Sequence, residues 1–415
     1  MSFMSDECST GGAPEARPDG RAMARAESAS DSFTLLRIEQ KKRRDQLPEA
    51  ADFHRLPLSW YKREIGEIKE EARSRGIDGG IFLTNRWNLI YATGLFHSTT
   101  ERPFACFLPM DEEDACIWLH PYLDESLVQG WWCTESFSYF DHHHAPGARP
   151  NEGETTPGPT VNLFRWWGEV LSGLGYGDRT IGIDAGSMCE LGILPGQEDT
   201  EHLDMFRGIH VPAPFRPSGG PFGLMAKAMP DAKFVDVYDI LIRRRMVKDE
   251  MENALTQRAM DYWSEIHAFA RNYLLERGPG ILDWELANAA TQWGMHRIMQ
   301  DIPHRGLPHE AVGIEVRVGC RTGRVTAYPH PNQVRWARIE RGDALQLAGV
   351  VRIGGYGGEQ YRSFLIGPYS DYRERVWEVH TESYFIEAEK SYAGNTGARV
   401  AEAVHRHQVK NGCAH

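Results

Sequence analysis

The sequence predicts an α/β (α+β) chain built of two units, and three observations carry that reading. Between residues 56 and 238, short apolar runs of strand type alternate with helical spacings, the pattern of an α/β domain. From residue 243 onward, long helical patterns precede two apolar runs separated by a Gly-rich bend, the pattern of a hairpin. Residues 1 to about 45 are poor in large apolar residues and rich in Ala, Ser, Gly, Pro, Asp and Arg, so residues 1–55 are expected to form a disordered tail.

In the first unit, residues 58 to 76 place apolar side chains at helical spacing and stop at Gly76. Residues 79 to 84 then read as a strand, and 85 to 91 as a short helix ahead of Thr93-Gly94. Strands are expected over 104–108 and 115–120, joined by the acidic turn Asp111-Glu112-Glu113-Asp114. Trp166-Trp167 falls on a helix, 180–184 on a strand, and 234–238 closes the unit. The second unit opens with a helix over 249–277 that ends at Gly278-Pro279-Gly280. A helix follows from Asp283, read as its N-cap, to about Met299. The hairpin comes next, then helices over about 370–392 and after Gly397.

Composition narrows the partners. Lys+Arg number 46 against 58 Asp+Glu, a formal net charge of −12, which argues against nucleic acid or an anionic membrane as the main partner. Seven cysteines, an odd number with no C-x-x-C spacing, point to reduced thiols in a cytoplasmic protein. No stretch reaches the length of a membrane span, and the first residues lack the pattern of a secretory signal. The basic run Lys41 to Arg44 reads as a solvated face. His142-His143-His144 reads as a solvated loop, because neighbouring side chains diverge too far to share a metal.

The chemistry gathers between Gly319 and Gly367. His330 sits in a Pro-His-Pro loop, and Gly342-Asp343 launches the first apolar run. After Gly354-Gly355 come Glu359, Gln360, Tyr361 and Arg362. The strand over 344–351 carries no acidic residue, whereas a dinuclear metal site draws several carboxylates from adjacent strands. One imidazole and one carboxylate suit metal-free acid/base chemistry instead. From spacing alone, a strand-end glutamate and a loop histidine without any chemistry fit equally well.

The second unit resembles the pita-bread superfamily of methionine aminopeptidase, prolidase, aminopeptidase P and creatinase. The segments that carry the resemblance are Arg245 to Glu252, Gly280 to Leu286, Gly319 to His330, and the frame Gly342-Asp343, Gly355-Tyr356, Arg362. In the first unit, R-G-I-D-G-G-I-F and N-L-I-Y-A-T-G are similar to the family's amino-terminal domain. The resemblance spans roughly residues 56 to 415. It implies a creatinase/prolidase-type amino-terminal domain over 56–238 and a pita-bread catalytic domain over 243–415 that reads as incomplete, truncated at its C-terminus.

The departures set the expectation for mechanism. Where the metallopeptidases carry two aspartate ligands in the hairpin, this sequence has Ala348 and Glu359. His415 falls at or just before a further ligand position, and the later glutamates have no counterpart. The hairpin is nearest to the metal-independent creatinase type, which matches His330 to the catalytic histidine but puts Tyr361 where creatinase has a glutamate. The resemblance thus implies a cytoplasmic, homodimeric hydrolase, without nucleic-acid or membrane partners, that cleaves a C–N bond of a small carboxylate-bearing substrate or short peptide. His330, Glu359 and Tyr361 are its catalytic candidates; Arg362, with Arg102 reaching across the dimer, would bind the carboxylate. No cofactor is implied. A divalent Mn, Zn or Fe would need ligands beyond residue 415, with Glu359 and His415 the only ones at hand. The alternatives are a metal-dependent Xaa-Pro aminopeptidase or dipeptidase with an altered ligand set, a dimethylsulfoniopropionate-type lyase, and a non-catalytic peptide-binding module.

Overall fold

The structure is a computed structural model, and it describes residues 54–97, 104–132, 135–139, 163–184, 225–302, 311–327 and 336–413. Two compact units are present. The first comprises Met1–Thr256 with Pro303–Ile314 and Ile353–Tyr356; the second comprises Gln257–Ile302, Glu315–Arg352 and Gly357–His415.

The first unit begins with helix α1 (Leu58–Ser74), strand β1 (Gly80–Leu83) and helix α2 (Arg86–Thr93). Strands β2 (Ala105–Pro109) and β3 (Ile117–Pro121) follow, then the short helix α3 (Glu125–Gln129) and β4 (Glu135–Tyr139). Helix α4 (Leu163–Gly173), strands β5 (Thr180–Ile183) and β6 (Lys233–Asp236), and helix α5 (Tyr238–Met246) complete the series. The strands form one mixed sheet in the order β4-β3-β2-β1-β5-β6. β1 pairs antiparallel with β2 and parallel with β5, so it sits at the centre of the sheet. All four of its residues are buried, which is why it reads as an unbroken apolar run rather than an alternation.

Trp167 of the predicted Trp-Trp helix is fully buried, with its ring edge-on to Phe82 at 5.1 Å. Gly80 has a packing reason to be glycine: a Cβ there would lie 2.2 Å from the Phe107 ring. The turn from β1 into α2 is held by polar groups. Asn85 caps α2 by accepting from the N–H of Trp87 and Asn88, and Gly94 ends the helix at φ +74°. Beneath them lies Asp184, fully buried, which accepts from Thr84 N and Oγ1, Asn85 N and Asn88 Nδ2 at 2.8–3.0 Å. Those four bonds tie the end of β5 to the β1–α2 turn. β4, α3 and α5 were not legible as separate elements in the sequence, because each is short and lacks a distinct period.

Helix α6 (Glu250–Arg277) starts on a reciprocal capping box. Glu252 N–H donates to Asp249 Oδ1 and Asp249 N–H donates to Glu252 Oε2, at 2.9 and 2.8 Å. The other Asp249 oxygen accepts from Trp60 Nε1 and Arg63 Nη2. Glu252 also accepts from the Tyr356 hydroxyl at 2.9 Å. Asp249 and Glu252 of the Arg245–Glu252 motif therefore serve this helix start.

The second unit continues with helix α7 (Asp283–Asp301), strand β7 (Ile314–Thr322), strands β8 (Ala344–Ile353) and β9 (Tyr356–Leu365), and helices α8 (Asp371–Lys390) and α9 (Gly397–Lys410). Asp283 is the first residue of α7 rather than its N-cap: Leu282 holds that position, and the Asp283 carboxylate turns back onto the N–H of Trp284. The sheet order is β7-β8-β9. The Gly-Asp turn before β8 has a structural task. Gly342 takes φ +88°, and Asp343 Oδ2 accepts from both Glu340 N and Thr322 Oγ1 at 3.0 Å.

Candidate active-site face

Register decides which side chains of the three-stranded sheet meet. β8 and β9 join through the two-residue turn Gly354-Gly355, and at their far ends the Ile366 N–H donates to Asp343 O at 2.9 Å. Both ends are satisfied by one register, in which Ala348 neighbours Tyr361 and Val350 neighbours Glu359. On the other side of β8, Arg352 Nη1 donates to Glu315 Oε2 at 2.5 Å, and Arg321 Nη1 donates to Gln346 Oε1 at 2.7 Å. The two bonds run in opposite chain directions, so β7 is antiparallel to β8. Because successive residues of a strand point to opposite faces, the sheet has two distinct sides.

The apolar side, with Val316, Leu345, Leu347 and Val351, packs on α6 and α7. Thr291 Oγ1 accepts from Val318 N at 3.1 Å, and Trp263 Nε1 donates to Gly358 O at 3.2 Å. Gly294 lets α7 approach: a Cβ there would lie 2.5 Å from Ile266 and 3.3 Å from Val316. His267 is buried on this side, stacked flat on Trp263 with ring centroids 4.6 Å apart. Burial first, then the nearby Arg362 guanidinium, push its imidazole down from 6.5 to about 4.

The opposite side carries the polar groups: Glu315, Arg317 and Arg321 from β7, Gln346, Ala348 and Arg352 from β8, and Glu359 and Tyr361 from β9. Ala348 lies at its centre, buried, between Gly319 and Tyr361. Glu359 is exposed and Tyr361 is 41% exposed. The two share a face and lie two residues apart, roughly 7 Å along the strand. Glu315 bridges Arg317 at 2.9 Å and Arg352.

Of the residues singled out from sequence, the structure brings Glu359, Tyr361 and Ala348 together on this face. Arg362 departs from expectation. Standing one residue beyond Tyr361, it points to the other side, toward His267, and among the described residues donates to the Tyr361 carbonyl at 3.4 Å. The period of two that unites Glu359 with Tyr361 is what separates Arg362 from both. His330, Arg102, His415 and the His142–His144 run lie outside the described residues. The residues missed from sequence are Arg317 and Arg321. Their signal was present in R-V-G-C-R, where alternation along β7 puts both cations on one face.

The described donor set of this face does not suit a pair of divalent cations. Among the described residues, no three or more His, Cys, Asp or Glu side chains gather into a metal-sized group. On the polar face, three arginines stand against two carboxylates, and the central position is alanine. A dinuclear site of hard cations requires several converging carboxylates, and adjacent guanidinium groups repel it.

The two units and this sheet share their fold with solved prolidases and Xaa-Pro peptidases. Solved structures of that architecture superpose over most of the chain. A prolidase from Thermococcus sibiricus aligns at a TM-score of 0.58 and 18% identity, covering 85% of this chain and 78% of its own. An X-Pro aminopeptidase from Thermotoga maritima aligns at 0.59 and 16%, covering 84% and 78%. A Xaa-Pro dipeptidase from Bacillus anthracis aligns at 0.55 and 15%, covering 85% and 78%. At these identities the likeness is one of fold. No family sequence model and no curated protein sequence matches the chain.

Proposed function

We propose that this protein is a pita-bread hydrolase that cleaves a C–N bond in a small carboxylate-bearing substrate by histidine acid/base catalysis, without a dinuclear metal. The observation that supports this most directly is Ala348, at the centre of a face on which arginines outnumber carboxylates. The fold shared with Xaa-Pro peptidases supports a hydrolase in general. The metal-free chemistry is this proposal's own step.

In this reading, His330 removes a proton from water as its oxygen bonds to the substrate carbon. His330 then returns that proton to the nitrogen as the C–N bond breaks, so one water is consumed and the imidazole is regenerated. Tyr361 donates its phenolic hydrogen to the oxyanion that develops on the attacked carbon. Glu359, two residues away on the same face, accepts from a cationic or amide N–H group of the substrate.

The test is turnover of a panel of Xaa-Pro dipeptides and amidino acids by the full chain, before and after exhaustive chelation. Activity that survives chelation and falls at least about a hundredfold in His330→Ala, with unfolding unchanged, is the expected result. Activity lost on chelation and restored by Mn or Zn establishes the metal-dependent reading instead. Peptide binding with no turnover on the whole panel establishes a binding module.

A further inference from the structure

Arg321 is a buried cation without a counter-charge among the described residues. It is 9% exposed, and none of the described carboxylates forms an ion pair with it. Among the described residues its side-chain partner is the neutral amide of Gln346, which accepts from Nη1 at 2.7 Å. The Nε atom, also buried, has no hydrogen-bond partner. Removing a guanidinium from water and leaving it half-bonded costs several kcal/mol, so such a group is retained where something else completes it.

The geometry indicates what completes it. Gln346 fixes the plane of the guanidinium through Nη1. The edge formed by Nε and Nη2, which donates to none of the described residues, is a two-pronged donor of the spacing that a carboxylate accepts side-on. Arg321 and Gln346 lie on the polar face of the sheet, one cross-strand row from Gly319, Ala348 and Tyr361. In the adjoining row Gly319 and Ala348 present nothing larger than a methyl on β7 and β8, and Tyr361 completes the row on β9.

We propose that Arg321 is the anion anchor of this site and binds the carboxylate of the substrate through Nε and Nη2. This assignment rests on the functional reading above, and it gives Arg321 the role that the sequence had suggested for Arg362. The carboxylate then lies over the Gly319–Ala348 row, the position an ion-binding aspartate would otherwise contest. Tyr361 and Glu359 are on the same face to meet the remainder of the molecule. Alanine at position 348 and an anion anchor at position 321 are therefore two parts of one arrangement: an aspartate at 348 would repel the ligand that Arg321 binds.

The probe pair is N-acetylglycine and its uncharged amide, N-acetylglycinamide, titrated calorimetrically into the full chain. Wild type is expected to bind the acid at least about tenfold more tightly than the amide, the preference a bidentate charge-assisted pair confers. Arg321→Met should abolish that preference while leaving amide binding unchanged, and Arg321→Lys should retain only part of it. Arg362→Met should leave it intact. Should Arg321→Met fail to fold, the Arg321→Lys and Arg362→Met comparison decides. Equal affinity of wild type for acid and amide, or an undiminished preference in the Arg321 variants, overturns the proposal. His330→Ala separates this proposal from the catalytic reading, since it removes turnover and leaves the acid preference in place. If no C–N bond is hydrolysed by wild type but the preference depends on Arg321, the catalytic reading fails and the anchor stands.

Discussion

Asp184 shows how much a single buried side chain organises. Its two oxygens accept four hydrogen bonds, two from main-chain N–H groups and two from the side chains of Thr84 and Asn88. Burial still dominates, pushing its pKa up to about 6. A carboxyl whose folded pKa is raised binds more protons in the fold than in the unfolded chain, so it favours folding at low pH. That contribution fades as pH rises from the ordinary value near 3.8 through about 6. Asp184→Ala removes all four acceptor contacts and leaves buried donors unsatisfied. We expect it to cost about 3 kcal/mol or more, read as a lower denaturant midpoint in equilibrium unfolding. The β1–α2 turn was legible in sequence from a strand run passing directly into a helical one, but the Asn85 cap was not singled out. Asp184 was not, because it lies about a hundred positions away and only the parallel pairing of β1 with β5 brings it there.

At the scale of elements, the β7–β8–β9 sheet carries the proposed site. Gly349 makes its tightest contact: a Cβ at that position would sit 1.9 Å from the carbonyl oxygen of Arg317 and 2.8 Å from its carbon. Main chain cannot swing aside as a side chain does, so Gly349→Ala must part β7 from β8. We expect a loss of about 3 kcal/mol from the strain and the broken ladder, visible as fast amide exchange over 314–322 and 344–353. Because Arg317 and Arg321 ride on β7, the same variant should also weaken ligand binding. The hairpin itself was legible from two apolar runs about a Gly-Gly turn. The pairing of β7 with β8 was not, since more than twenty residues separate them and no local pattern specifies that register.

For the molecule as a whole, the buried titrating groups divide unequally between the two units. In the first, Asp184 is raised to about 6 while His120, fully buried, is lowered to about 4, mainly by desolvation. A histidine whose folded pKa is depressed favours folding above its ordinary 6.5 and loses that contribution as pH falls toward about 4. The two groups act in opposite directions between about pH 4 and 6 and largely offset each other. In the second unit, His267 is lowered to about 4, and among the described residues no buried carboxyl is raised beside it to offset it. The second unit is therefore expected to lose up to about 3 kcal/mol as pH falls from 6.5 to 4, more than the first. His267→Phe keeps the stacking on Trp263 without the titrating nitrogens. It should flatten the acid limb of the second unit's thermal unfolding while leaving the first unit's unchanged.

The sequence by itself determined the two-unit α/β organisation, the elements flanking the hairpin, and the absence of an acidic residue from the strand that carries Ala348. Those features reside in local periodicity, turn residues and the composition of one strand, all properties of adjacent residues. The tertiary structure decided which side chains share the face around Ala348. It set Arg321 beside Gln346, turned Arg362 away toward His267, and left three arginines against two carboxylates. Those outcomes follow from strand register, and register is fixed by contacts between segments far apart in the chain, which no local pattern encodes.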